Sequence, residues 1–376
     1  MTQSVWDIAI QQNSSKQELE IAKCEPTLLV VGNRRSVINF LIILNLLQGK
    51  TTIIQRLLEK DDKPKSTLAL EYSYGRKAVG TFPVKSVVHI WELGGGTSLS
   101  DLVDVTISTN SMWNFHMVLV LDISNPHELW KTMDTLLDAA KRRYEQIVNR
   151  VNQRNLSHIR KKLRELALKR PSINHPDIEV MDPFPLPLII IGSKYDLFAC
   201  LQFEQQKVIC KTLRFLSHYY SASLYFVSSR EESLMKRIKT VLSHVAFGTA
   251  ESRFVQMELN KPLAIPEGTD SFSSIGAPPN IEMEVGRLTA KTPLEMWKAV
   301  FCAKFPQVSV SGPVCVPTAS PFYSTVDPAK DPQYAEPLVD AARLAKDEEL
   351  ERTQRRNERR MRELLQQVSD EGLLIV

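Results

Sequence analysis

Two short glycine motifs constrain what this chain can fold into, and a third segment stands between them. Gly32-Asn-Arg-Arg-Ser36 follows the apolar run Thr27–Gly32, and Gly49-Lys50-Thr51-Thr52 opens a helix-like stretch, Thr51–Lys60. With Val37–Gln48 removed they join as GNRRSGKTT, a full GxxxxGK[ST] phosphate loop in the strand–loop–helix context that motif requires. In such a loop the backbone N–H groups and the helix N-terminus wrap a β-phosphate, Lys50 reaches the β/γ oxygens and Thr51 ligates Mg²⁺. Val37–Gln48 (VINFLIILNLLQ) has nine strongly apolar residues in twelve and no charge. It falls short of the roughly 20 residues needed to span a bilayer. The loop's amides must converge on one phosphate, so an apolar insert at their centre reads as foreign to the fold. The expectation is weak or absent nucleotide binding in this chain, regained when Val37–Gln48 is deleted.

The rest of the pattern fits the same fold. Apolar runs read as strands at Thr27–Gly32, Leu68–Tyr74, Ser86–Leu93, Val118–Asp122, Leu188–Gly192 and Ser223–Val227. Helical stretches fall between them at Leu129–Arg150 and Phe203–Tyr219, and a last one follows at Ser233–Phe247. Alternation of this kind predicts an α/β domain over residues 27–248, with a mostly parallel sheet covered on both faces. Residues 150–187 read as a basic helix and a Pro-rich connection elaborating that domain. Residues 1–26 form an N-terminal segment, 249–335 an irregular Pro/Ser/Gly-rich linker, and 336–376 a charged helical tail without sustained heptads. Within the linker, Pro293–Phe305 reads as a short amphipathic helix. Its Trp297, Phe301 and Phe305 share one face, which either packs on the chain's own domain or anchors a partner. The tail is read as a solvated helix or one that docks a partner.

Further motifs fall in the order of a Ras-like P-loop G-domain. Thr67 stands where a switch threonine would meet Mg²⁺ and a γ-phosphate. Glu92-Leu-Gly-Gly95 occupies the DxxG position with glutamate in place of aspartate. Gly96 sits where a glutamine would orient the attacking water, and glycine cannot. Ser193-Lys194-Tyr195-Asp196 occupies the base-reading [NT]KxD position: Asp196 could accept from guanine, while Ser193 lacks the usual asparagine amide. Ser228-Ser229-Arg230 holds the last guanine-loop position. The nucleotide-binding set, vestigial or disrupted, is Gly32, Ser36, Gly49, Lys50, Thr51, Thr52, Thr67, Glu92, Gly95, Lys194 and Asp196. Thr51 and Thr67 would ligate Mg²⁺ if GDP or GTP were bound. No catalytic residue is expected, and Glu92 with Gly96 points to slow or absent hydrolysis.

Composition closes off other classes. With 43% hydrophobic and 24% charged residues, wholesale disorder is excluded. A net charge of +4 gives no reason to expect a nucleic-acid partner. The five cysteines show neither CxxC nor zinc spacing, which points to reduced thiols in a cytosolic protein. Charges at Asp7, Lys16, Glu18, Glu20 and Lys23 argue against a signal peptide. No transmembrane segment is predicted, so anchoring by Val37–Gln48 is the weakest of three functional readings.

Five stretches carry a resemblance: Lys65–Lys77 (KSTLALEYSYGRK), His89–Leu102 (HIWELGGGTSLSDL), Asp182–Phe198 (DPFPLPLIIIGSKYDLF), Lys207–Leu224 (KVICKTLRFLSHYYSASL) and Asp327–Glu336 (DPAKDPQYAE). With them the chain resembles the dynein light intermediate chain family, in its cytoplasmic dynein 2 branch. Val37–Gln48 departs from that family's continuous phosphate loop. The resemblance implies a Ras-like G-domain used as a scaffold in a non-catalytic motor subunit. It implies binding to the dynein 2 heavy chain and other dynein 2 subunits, and indirect contact with intraflagellar transport particles. It further implies support of retrograde transport and cilium assembly, at the basal body and centrosome, along the axoneme, on the cytoskeleton and in the cytoplasm. Motor ATPase activity then belongs to the heavy chain. A GTPase-like molecular switch is the alternative.

Overall fold

A computed structural model describes residues 25–33, 49–60, 67–78, 85–109, 111–153, 175–250, 254–279, 292–307 and 336–372. Ser36 and Val37–Gln48 lie outside the described residues, as does most of the basic part of the 150–187 elaboration. The chain divides into two units, Met1–Val310 and Ser311–Val376.

The first unit is built on strand alternation. Elements run β1 (Thr27–Gly32), α1 (Lys50–Leu58), β2 (Leu70–Ala78), β3 (Lys85–Leu93), α2 (Val103–Thr106), β4 (Phe115–Asp122), α3 (Pro126–Gln153), β5 (Leu188–Ser193), α4 (Tyr195–Phe198), α5 (Phe203–Tyr219), β6 (Ser223–Phe226), α6 (Glu232–Phe247), β7 (Ala264–Ile265), α7 (Phe272–Ile275) and α8 (Pro293–Lys304). The strands form one sheet in the order β2-β3-β1-β4-β5-β6-β7. Pairings from β3 through β6 are parallel, and β2 and β7 run antiparallel at the two edges. β1 is buried throughout, and its period-2 alternation splits the core in two. Leu28 and Val30 face Ile53, Ile54 and Leu57 of α1 and Ile238 and Leu242 of α6. Leu29 and Val31 face the layer holding Met133 and Leu137 of α3 and Leu213 and Leu216 of α5. This is the Ras-like α/β arrangement that the sequence predicts. After β1 the chain builds β2 and β3 on one side and then crosses to β4 on the other, so the carboxyl end of β1 is the switch point where such sheets place a ligand crevice.

The structure departs from the sequence reading after Phe247. Much of the stretch expected to be linker is packed. Leu263, Ala264 and Ile265 are buried, and β7 adds to β6 through Leu224↔Ile265 and Tyr225↔Ala264. α8 starts with a capping box: Thr292 Oγ1 accepts from Glu295 N–H, and Glu295 accepts from Thr292 N–H, with Pro293 following the cap. Trp297 stacks on Phe215 of α5 at 4.7 Å, and Phe301 lies 5.6 Å from Trp130 of α3. The aromatic face thus packs on the chain's own domain. Gln307 completes the seam, its Oε1 accepting from the N–H groups of Trp130 and Lys131 and its Nε2 donating to Pro126 O. Local spacing gives a helix face; it does not say what covers that face.

The second unit's described element is α9 (Pro337–Gly372), 36 residues long. The side chains described, through Arg360, are exposed, Leu338 and Leu344 among them. Glu348–Arg352 and Glu351–Arg355 pair at i,i+4, the support expected of a solvated, highly charged helix.

Candidate functional site

The carboxyl ends of β1, β3, β4 and β5 bring most of the candidate residues to one crevice. At the end of β1, Gly32 passes so close to β4 that an added Cβ would stand 1.9 Å from Val120 O. Only glycine allows that approach. Asn33 then ties the loop to β4 by accepting from Asp122 N–H at 3.1 Å. Gly49 caps α1 without a side-chain bond, and the first turn has no acidic residue. A helix start of that kind suits an anion. Lys50 reaches back and donates to the carbonyl oxygens of Gly32 (3.3 Å) and Asn33 (2.8 Å). Thr52 Oγ1 is buried without a hydrogen-bond partner among the described residues.

Thr51, Thr67 and Glu92 meet beside that turn. Thr51 Oγ1 donates to Glu92 Oε1 at 2.7 Å, and Thr67 donates to Glu71 while also standing by the Glu92 carboxylate. A hydroxyl that gives its proton to a carboxylate keeps its lone pairs for a cation, so the threonine–glutamate set fits Mg²⁺. Glu92 is only 5% exposed. Burial pushes its carboxyl up from the usual range, against the bond from Thr51 and the charge of Lys50. Gly94 runs against Thr67, where an added Cβ would lie 2.4 Å from Thr67 O. Gly95 and Gly96 both adopt left-handed backbone (φ 67° and 62°) and turn the chain into a 3₁₀ stretch, Gly96–Leu102. No side chain at Gly96 faces the crevice.

The base-reading end is differently built. Ser193 is buried and donates to Leu121 O at 3.0 Å, so it points into the sheet. Lys194 pairs with Asp122. Asp196 has both carboxylate oxygens engaged: Oδ1 accepts from Ser228 Oγ at 2.8 Å, and Arg230 lies 3.3 Å from Oδ2. Guanine could be read there only if Arg230 moved aside. Arg230 is more than half exposed, and a pair of that kind holds weakly.

A polar seam at the other end of the sheet escaped the sequence reading. Its members come from three distant segments, so no local spacing announces them. Arg214 of α5 forms a two-pronged pair with Asp270 at 2.8 and 2.7 Å, and both are almost fully buried. Beside it His218 Nε2 lies 2.8 Å from Asp177 Oδ2. Burial works against the Asp177 carboxylate, but the Phe272 N–H and His218 outweigh it and hold its pKa below the ordinary value. Burial pushes the His218 imidazole down despite Asp177.

Fold and crevice together define a Ras-like G-domain with an altered base-reading end and no glutamine at the water-orienting position. No protein-family model matches the chain. Three curated relatives share one description, cytoplasmic dynein 2 light intermediate chain 1. The Bos taurus protein is 42% identical over 94% of this chain and 96% of its own length. The Homo sapiens protein is 46% identical over 82% and 84%, and the Danio rerio protein 40% identical over 94% and 94%. Among solved structures, the conserved domain of a dynein light intermediate chain is similar at 15% identity, with a TM-score of 0.48, over 79% of this chain and 94% of that one. The chain belongs to the cytoplasmic dynein 2 light intermediate chain family. Among the described residues no helix is long and apolar enough to cross a membrane.

Proposed function

We propose that this chain is a non-catalytic subunit of the cytoplasmic dynein 2 motor, whose G-domain is a scaffold docked on the heavy chain. In this role it supports retrograde intraflagellar transport along microtubules and cilium assembly, at the basal body, along the axoneme and in the cytoplasm. The observation that carries the reading is 42% identity to a cytoplasmic dynein 2 light intermediate chain over 94% of this chain. The crevice supports the non-catalytic part. Gly96 offers nothing to orient a water, Ser193 is turned away, and Arg230 sits on Asp196. The exposed helix α9 is a docking candidate; the aromatic face of α8 is already covered.

A GTPase-like switch is the second reading, and the Thr51–Thr67–Glu92 grouping favours it. One experiment separates the two. The full chain and a version lacking Val37–Gln48 are assayed for heavy-chain tail capture, for nucleotide affinity and for single-turnover GTP hydrolysis. Scaffolding predicts capture by the full chain, no turnover above background in either, and nucleotide binding regained by the shortened version. Turnover by the shortened version would favour the switch. Failure of the full chain to capture the tail would refute the scaffold, and equal nucleotide affinity of the two would refute the role given to Val37–Gln48.

A further inference from the structure

Among the described residues one group of side chains has the make-up of a transition-metal site: His175, Asp177 and His218. It is remote from the nucleotide crevice by topology. The crevice lies where β1, β3 and β5 end, whereas His218 closes α5 just before β6 begins, and His175 and Asp177 precede β5. A ligand atom from each residue lies within 4.8 Å of the other two. His218 Nε2 is 2.8 Å and His175 Nδ1 3.9 Å from Asp177 Oδ2. Metal–ligand bonds of about 2.0–2.1 Å at tetrahedral angles put neighbouring ligand atoms about 3.3 Å apart. The two distances bracket that value, and the third, between the two histidines, is no more than 4.8 Å, so the site would have to contract to close on an ion.

The surroundings prepare the ligands. His175 Nε2 lies 2.9 Å from Asp270 O, and a carbonyl can only accept, so Nε2 carries the proton. The lone pair therefore sits on Nδ1, where it accepts from the Asp177 backbone N–H at 3.2 Å, a bond that an ion would have to displace. A backbone carbonyl behind a histidine is the usual device that fixes the tautomer and ring angle of a metal ligand. Asp177 Oδ2 is held by the N–H of Phe272 at 2.8 Å. The His218 ring, fully buried, packs edge-on to Phe272 at 4.6 Å; its Nε2 now donates to Asp177, and binding an ion there would shift the proton to Nδ1, which has no hydrogen-bond partner among the described residues. Packing and the Asp177 contact thus aim that ring. His175 and Asp177 keep side-chain exposures of 12% and 18%, so the group is not sealed from solvent.

We infer that His175, Asp177 and His218 form a site for a divalent transition metal of the zinc type, with water as fourth ligand, that fastens the segment before β5 to the end of α5. Two imidazoles and one carboxylate suit Zn²⁺ over Mg²⁺ or Ca²⁺, which prefer all-oxygen shells. The fastening follows from position. His175 and Asp177 lie on the approach to β5, His218 on α5, and their supports, Asp270 O and Phe272 N, on the segment that leads into α7.

The test uses the full chain, stripped with EDTA and dialysed. Zn²⁺ uptake is measured by calorimetry and elemental analysis, and Co²⁺ is added as an optical probe. The expected results are one equivalent of Zn²⁺, a tetrahedral Co²⁺ spectrum, and a melting temperature that climbs with Zn²⁺ concentration. Asp177→Asn keeps an oxygen for the Phe272 N–H, and His175→Gln alters the more open of the two histidines. Each should weaken Zn²⁺ at least tenfold and abolish the Co²⁺ spectrum, with far-UV circular dichroism unchanged. No Zn²⁺ uptake by the parent chain would overturn the inference. So would equal uptake by parent and variants, which would place the ion on other residues.

Discussion

Phe301→Ala asks how firmly the chain after β7 belongs to the G-domain. The Phe301 ring is fully buried, 5.6 Å from Trp130 and 5.1 Å from Phe305, in the layer that also holds α3 and α5. Removing a buried phenylalanine from a packed core costs about 3–5 kcal/mol in lost transfer energy and cavity. In a domain of this size each kcal/mol lowers Tm by roughly 2–4 °C, so the expected drop is roughly 6–20 °C. Lys304→Ala, on an exposed position of the same helix, should stay within about 0.5 kcal/mol of the parent. Calorimetry and urea titration followed by tryptophan fluorescence read both variants, since Trp130 and Trp297 report the interface directly. The reasoning is refuted if Phe301→Ala melts like Lys304→Ala. If heavy-chain capture fell in that same variant, α8 would be a partner anchor and its packing on α5 incidental.

Two further perturbations probe the buried charges. Asp270→Ala strands Arg214 in a nearly closed environment and should cost about 3–5 kcal/mol, whereas Arg230→Ala, at an exposed pair, should cost less than about 1 kcal/mol; equal losses in thermal melts would contradict the burial argument. Glu92 titrates higher in the folded chain than in the unfolded one, so the folded state holds the extra proton between the two values and stability falls as pH rises through that window. Glu92→Gln, whose amide oxygen still accepts from Thr51, removes that loss. Without Mg²⁺ its Tm should match the parent near pH 4 and exceed it at pH 7; a variant less stable at pH 7 would reverse the sign.

The G-domain was legible because its strands are buried on both faces. TLLVVG and LIIIG need no partner to be recognised, and Thr27–Gly32 appears with the boundaries read from sequence. β4 begins at Phe115, three residues before the expected Val118, because His116 interrupts the apolar run while still pairing with Leu28 of β1. β7 was unreadable: two residues carry no period, and only the β6 edge makes them a strand. In the crevice, motif order located Lys50, Thr51, Glu92 and Asp196. It could not show that Ser193 turns inward or that Arg230 covers Asp196, since both depend on contacts between loops. The His175–Asp177–His218 group lay beyond any spacing rule, because 41 residues separate Asp177 from His218.

The placing of β7 has a consequence for how the protein is made. Synthesis delivers β6 and α6 well before Ala264, and the aromatic face of α8 emerges later still. Until then a nascent chain holds the backbone edge of β6 and the apolar flank of α5 open to other chains, the state in which unpaired edges pair wrongly. A ribosome halted just past Phe247 would carry what looks by motif like a whole G-domain, yet one that still needs a chaperone. In the finished chain, β7 protects that edge.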